Sequence, residues 1–311
     1  MKIKHSVILG IALIFILAAC QGNQIQSNEA TLAVEEGVPT PEDETANTSA
    51  VSEPVGRPTP TVEPLPENEP EAAEEPAAEP QPVPPTMVPE TAVTQPTTQN
   101  ITIEAADGLL LHAAYSAPGG IPPFPGVILL HMLGSNRQVW EEVGLTDALL
   151  ADGYAVLALD MRGHGESGSG QDWEKADDDL LRVWTYFAGL ADVDEARTAV
   201  IGASIGSNMA LRTGANQPAI KTVALLSPGL DYRRVTTDDA IIQYGSRPLL
   251  IIASEEDQYA ADSSRTLAEM AQGPATLQLY DGAGHGTNMF GPEPELTQLL
   301  LDWLNQYLRE T

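Results

Sequence analysis

Gly202-Ala203-Ser204-Ile205-Gly206 is the stretch of this 311-residue chain whose residue types and spacing best suit chemistry. A serine hydroxyl is a weak nucleophile. It needs a base to take its proton and donors to receive the charge that develops on the attacked oxygen. An apolar run ending at Ile201 leads into the motif, and a helix-forming run, Asn208-Met209-Ala210-Leu211-Arg212, leads out of it. A sharp strand-to-helix turn would hold Ser204 at a strained, exposed point, with glycines on either side admitting neighbouring backbone. The N–H of Ile205 would then aim at the developing oxyanion. The candidate base is His285, in the glycine-rich run Gly282-Ala283-Gly284-His285-Gly286. A carboxylate must hold its imidazole tautomer and stabilise the imidazolium. Ser254-Glu255-Glu256-Asp257 offers three in succession: Glu255, Glu256 and Asp257.

The remaining histidines have plainer readings. His5 lies in an N-terminal apolar segment, His112 in the middle of a strand pattern, His131 at a loop it would shape, and His164 in a turn it would stabilise. No His/Cys/Asp cluster has zinc spacing, so no metal is expected. Gly163, Gly165 and Gly168 match the bare Gly-x-Gly-x-x-Gly spacing. A long polar stretch separates them from the next helical run, whereas a dinucleotide fingerprint opens directly into its helix, so no cofactor is expected.

Positioning these groups requires a scaffold, and the hydropathy pattern supplies one. Ile101–Glu104 and Leu109–Tyr115 read as strands around an Asp107-Gly108 turn. Gly126–His131, Tyr154–Leu159, the run into Ser204, Ile220–Leu226, Leu249–Ala253 and Leu277–Tyr280 read as further strands, most of them apolar on both faces. Between them lie helical patterns over Val139–Ala151, Trp173–Leu190, Ala261–Ala271 and Glu295–Leu308. The alternation predicts a mostly parallel central sheet with helices on both faces, an α/β class. In such sheets, sites form beyond the carboxyl ends of the strands, and the candidate groups all follow strands.

The order Ser, acid, His is that of the α/β-hydrolases. Asp160-Met161-Arg162-Gly163-His164-Gly165-Glu166-Ser167 closely resembles the Asp-x-Arg-Gly-His-Gly-x-Ser run of monoacylglycerol-lipase-like and serine-aminopeptidase-like hydrolases. His131-Met132-Leu133-Gly134 is similar to their His-Gly-x-Gly oxyanion loop, with Met132 in place of the usual glycine. The resemblance spans residues 101–311 and extends to dienelactone-hydrolase-like members. It implies the α/β-hydrolase fold, Asp257 as the acid, and the Leu133 N–H, with Met132 as runner-up, beside that of Ile205 in the oxyanion hole. Many members insert a helical cap after the strand that follows the nucleophile helix. Here Ser227–Pro248 has room only for a loop and a short helix around Asp239–Tyr244, so a minimal cap and an open site are expected, rimmed by Tyr232, Tyr244 and Tyr259.

The N-terminal third differs in kind. Lys2 and Lys4 precede a mostly apolar run from Ser6 to Ala19, the pattern of a secretory signal. Leu17-Ala18-Ala19-Cys20 resembles a bacterial lipobox, which implies cleavage after residue 19 and acylation of Cys20, the single cysteine of the chain. Residues 21–100 hold 15 of the 25 prolines and no Phe, Trp or Tyr. Such a segment buries too little apolar surface to offset chain entropy, so 20–100 is expected to be a disordered, acidic tether. A net charge of −29 excludes nucleic acid as a partner. The expected protein is therefore a lipid-anchored, extracytoplasmic serine hydrolase of the cell envelope, acting as a monomer on a small ester. Amide or thioester cleavage by the same groups, or a non-catalytic binding lipoprotein, stay open as alternatives.

Overall fold

A computed structural model describes residues 95–168 and 170–309. The signal segment, Cys20 and the proline-rich tether up to residue 94 lie outside the described residues, and the last residues of the expected tether, 97–100, belong instead to β1. In chain order the elements are β1 (Thr97–Glu104), β2 (Leu110–Ala117), β3 (Phe124–Leu130), α1 (Val139–Glu142), α2 (Leu145–Ala151), β4 (Ala155–Leu159), α3 (Ala176–Ala188), β5 (Val193–Ala203), α4 (Ile205–Asn216), β6 (Ile220–Leu226), β7 (Asp231–Tyr232), β8 (Val235–Thr236), α5 (Asp238–Tyr244), β9 (Leu249–Ser254), α6 (Gln258–Met270), β10 (Ala275–Tyr280) and α7 (Leu296–Leu308). Eight strands form one sheet in the order β1-β2-β4-β3-β5-β6-β9-β10. β2 pairs antiparallel with both β1 and β4, and every pairing from β4 to β10 is parallel.

The double-sided burial read from the apolar runs is explicit in β3. Val127 and Leu129 pack with Trp140, Leu149 and Trp303 on one face. Ile128 and Leu130 pack with Val183, Phe187 and Leu211 on the other. Strands covered on both faces lose the polar alternation of a half-exposed sheet, which is why continuous Val/Ile/Leu runs marked them.

Three expectations need correction. The single helix over Val139–Ala151 is two, because Gly144 adopts φ 77° and starts α2 in a new direction. Trp140, Leu145 and Leu149 are all fully buried, so two short helices share the apolar period that one would have shown. The first strand begins at Thr97, ahead of Ile101. α6 begins at Gln258, immediately after Asp257, instead of at Ala261. The space between β6 and β9 holds the expected short helix, α5, and also the β7–β8 hairpin.

Candidate active site

Ser204 sits between the end of β5 and the start of α4 with φ 55° and ψ −123°, a backbone strain that an L-residue rarely carries. The two glycines of the motif are packing requirements. A Cβ on Gly202 would lie 2.0 Å from the Gly206 carbonyl oxygen, and one on Gly206 would lie 2.4 Å from that of Leu130. The turn is tied down where the Ser204 N–H donates to Leu226 O on β6 (2.8 Å). The side chain stands where α4 begins, and the first N–H groups of a helix lack intrahelical acceptors and carry its positive partial charge. The Ile205 N–H is the first of them.

Asp257 and His285 come together at the ends of β9 and β10. His285 Nδ1 is hydrogen-bonded to Asp257 Oδ2. The other two candidate acids face elsewhere. Glu255 pairs with Arg265 on the surface. Glu256 accepts the backbone N–H groups of Gly282 (2.8 Å) and Gly284 (2.7 Å) and the Ser254 hydroxyl (2.5 Å). These donors, the Ser254 hydroxyl foremost and then the Gly284 N–H, hold its carboxyl down to about 2. His285 adjoins the Ser204 turn through its neighbour: a Cβ on Gly286 would lie 3.5 Å from Ala203 Cβ and 3.8 Å from Ser204 N. The described hydrogen bonds do not join the Ser204 hydroxyl to the imidazole. Such bonds are often long before substrate arrives and tighten in the complex.

The loop after β3 is fixed by His131, which is fully buried. Its Nδ1 contacts Met132 O (2.8 Å), and its Nε2 accepts the Met161 N–H (3.0 Å). That pair of partners requires the neutral ring protonated at Nδ1. Burial keeps it neutral, moving its pKa down to about 4 against the opposing Met132 hydrogen bond. Asp160 braces the same loop by accepting the Arg137 N–H (2.7 Å) and pairing with the Arg137 guanidinium. It also receives the Glu166 N–H (2.9 Å), while Ser167 bonds its backbone oxygen (2.6 Å). Arg162 is held by Asp179 and Asp107. The Asp-x-Arg-Gly-His-Gly-x-Ser run is thus a bracket for the loop. Within the described hydrogen bonds the N–H groups of Met132 and Leu133 have no acceptor, so both remain available to an oxyanion. The Met132 sulfur rests against Gly286 and Thr287, linking this loop to the histidine loop.

Of the three rim tyrosines, Tyr232 lies at the site. Its ring meets that of His285 edge-on at 6.3 Å. Its hydroxyl, donated to Ser227 O (3.2 Å), is raised in pKa by burial first and then by the Asp257 charge, and contact with the Ser204 side chain acts in the opposite sense. Tyr259 stacks edge-on against it at 5.6 Å and is half exposed. Tyr244 is a correction: it is buried in the core, bonded to Pro248 O (2.6 Å), because α5 turns it inward over Gly214. Ser227, Ser254 and Glu256 went unremarked as supports in the sequence. Their signal was positional: each lies at or just past the end of a strand. Among the described residues no group of His, Cys, Asp and Glu could hold a metal ion.

Comparison with known proteins adds to this geometry. Residues 122–243 match the family described as "Serine aminopeptidase, S33". The uncharacterized protein Rv2307c of Mycobacterium tuberculosis is 25% identical over 243 residues, covering 72% of this chain and 84% of its own. A dienelactone hydrolase from Anabaena variabilis superposes with a TM-score of 0.59 at 19% identity, over 69% of this chain and all of that one (100%). The Pyrococcus furiosus esterase Pf2001 gives 0.59 at 19%, over 68% and 91%. The chain has the α/β-hydrolase fold, and the matches support a hydrolase of that superfamily.

Proposed function

We propose that residues 95–309 form a serine hydrolase that cleaves carboxylic esters of small or short-acyl substrates through an acyl-enzyme. The observation that carries this reading is that, at one end of the sheet, a strained Ser204 lies beside the loop of His285, whose Nδ1 is bound to Asp257. With Nδ1 occupied, Nε2 is the nitrogen left to take the Ser204 proton as Oγ attacks the carbonyl carbon. The tetrahedral oxyanion receives the N–H of Ile205 and that of Leu133, or of Met132. Collapse expels the alcohol, which takes the proton from Nε2. Water, deprotonated by the same nitrogen, then releases the acid and frees Ser204.

The short cap supports a preference for small acyl groups, since a long chain gains affinity only from buried apolar wall. A fluorophosphonate probe should label the wild type and leave Ser204→Ala unlabelled. A panel of acetyl, butyryl, octanoyl and palmitoyl esters, with matched thioesters and aminoacyl amides, defines the bond. The expected optimum is an acetyl or butyryl ester. A palmitoyl optimum contradicts the open site, and an amide optimum replaces esterase by amidase. Absence of labelling in a folded protein returns the chain to the binding-lipoprotein reading.

The lipobox-like run supports acylation of Cys20 and attachment to a membrane of the cell envelope. Cys20→Ser should abolish incorporation of a fatty-acid probe. A wild type that takes no probe and stays free in the cytosol contradicts this placement.

A further inference from the structure

We propose that Glu256, acting with Ser254, is a positioning residue that fixes the imidazole of His285 by gripping the backbone of the loop that carries it. The inference rests on His285 being the base of the proposed hydrolase. Three consecutive loop N–H groups end on one carboxylate–hydroxyl pair. Gly282 donates to Glu256 Oε2 (2.8 Å), Ala283 to Ser254 Oγ (2.8 Å) and Gly284 to Glu256 Oε1 (2.7 Å). The Ser254 hydroxyl, whose side chain is fully buried, closes the set by donating to Oε2 (2.5 Å). Gly282 at φ 73° and Gly284 at φ 87° flank Ala283. Left-handed residues in such an arrangement turn successive N–H groups toward one anion.

Beyond the histidine, the Gly286 N–H donates to Ser227 Oγ (2.9 Å). His285 is therefore held at its backbone from both sides and at its ring by Asp257. Glu256 and Asp257 are adjacent, so one short segment after β9 sets both the backbone and the ring. A carboxylate suits the upstream grip because it only accepts, and every group facing it donates. Glutamine would turn its NH₂ toward one of these donors and lose that bond. Glu256 is itself exposed, so burial does not account for its place. A displacement of about 1 Å in a catalytic group can cost about a hundredfold in rate. Glu255, one residue earlier, bonds only on the surface and serves as the control.

The test compares full-length wild type, Glu256→Ala, Glu256→Gln and Glu255→Gln. It reads kcat and KM on an acetyl ester per fluorophosphonate-titrated site, the melting temperature, and the low-field proton resonance of His285 Nδ1–H, assigned by its absence in His285→Ala. For Glu256→Ala, kcat should fall roughly ten- to a hundredfold with KM within about twofold, and the resonance should broaden or vanish. Glu256→Gln should fall between, and Glu255→Gln should match wild type. A lower melting temperature with unchanged kcat and resonance would make the role merely structural and overturn the proposal. If Glu256→Ala does not fold, Glu256→Gln decides: wild-type kcat and resonance overturn the clamp, and a partial loss of both upholds it. A chain that cleaves no ester yet loses the resonance in Glu256→Ala upholds the clamp and overturns the hydrolase reading.

Discussion

Asp257 and Glu256 are neighbours of like charge, and what separates their tasks is the donor each one faces. Asp257 meets an imidazole and Glu256 a row of peptide N–H groups. Asp257→Asn should therefore lower kcat by about three to four orders of magnitude, as loss of an orienting carboxylate does elsewhere. An Asp257→Asn variant with kcat near wild type would move the acid to another residue. His131 makes a second prediction. Its folded pKa lies near 4, below the ordinary 6.5, so the unfolded chain takes up its proton first on acidification. Its contribution is complete above pH 6.5 and is lost between pH 6.5 and about 4, an effect of order 3 kcal/mol. Urea unfolding across that window should show stability falling with pH, and less steeply in His131→Gln. Equal slopes would contradict the neutral buried ring. The turns that carry Ser204 and His285 were legible in the sequence because the glycines they demand surround those residues. The division of labour among Glu255, Glu256 and Asp257 was not legible from the residues alone, and only the family resemblance pointed to Asp257 as the partner of His285. Three successive carboxylates look alike until the backbone decides where each points.

The strand-to-helix elbow is the element on which the site depends, and its tolerance is set by the 2.0 Å and 2.4 Å at which a Cβ added to Gly202 or Gly206 would meet a backbone oxygen. Gly206→Ala must push α4 away from β3. We expect a loss of about 1–3 kcal/mol in stability, with ester turnover falling further because the Ile205 N–H moves with the helix. Thermal melting and turnover on an acetyl ester check both. A Gly206→Ala protein with wild-type melting and turnover would show that the elbow is not under this constraint. The β7–β8 hairpin carries strain of another kind. Its turn residues Arg233 and Arg234 adopt φ 55° and 70°, a conformation that favours Asn-Gly. The double change Arg233→Asn with Arg234→Gly should raise stability by about 1 kcal/mol or more, read as a higher melting temperature. The parallel strands were legible because burial on both faces leaves continuous apolar runs. The hairpin was not, since two-residue strands carry no period. The break at Gly144 was hidden because α1 and α2 bury the same face.

At the scale of the whole molecule the chain divides by what its composition can bury. The described residues supply two apolar layers, one on each side of the sheet, and among them no helix is long and apolar enough to cross a membrane. The stretch 21–100, with 15 of the 25 prolines and no aromatic residue, has a composition that buries too little to build a core of its own, and its last residues, 97–100, join the sheet as part of β1. A truncated chain beginning at Gln95, which keeps all of β1, should retain turnover of a soluble ester within about twofold. It should also lose any association with membrane vesicles that acylation of Cys20 gives the full chain. Failure of this truncated chain to fold would mean that the N-terminal stretch packs on the domain. Acylation of Ser204, on which the proposed hydrolysis turns, is read in the mass of the peptide that contains it. Full-length protein is mixed briefly with an activated acetyl ester, quenched in acid and digested. One acetyl group should appear on Ser204, be lost on longer incubation and be absent in Ser204→Ala. Ester turnover with no adduct on that peptide, or an adduct that persists in Ser204→Ala, would contradict it.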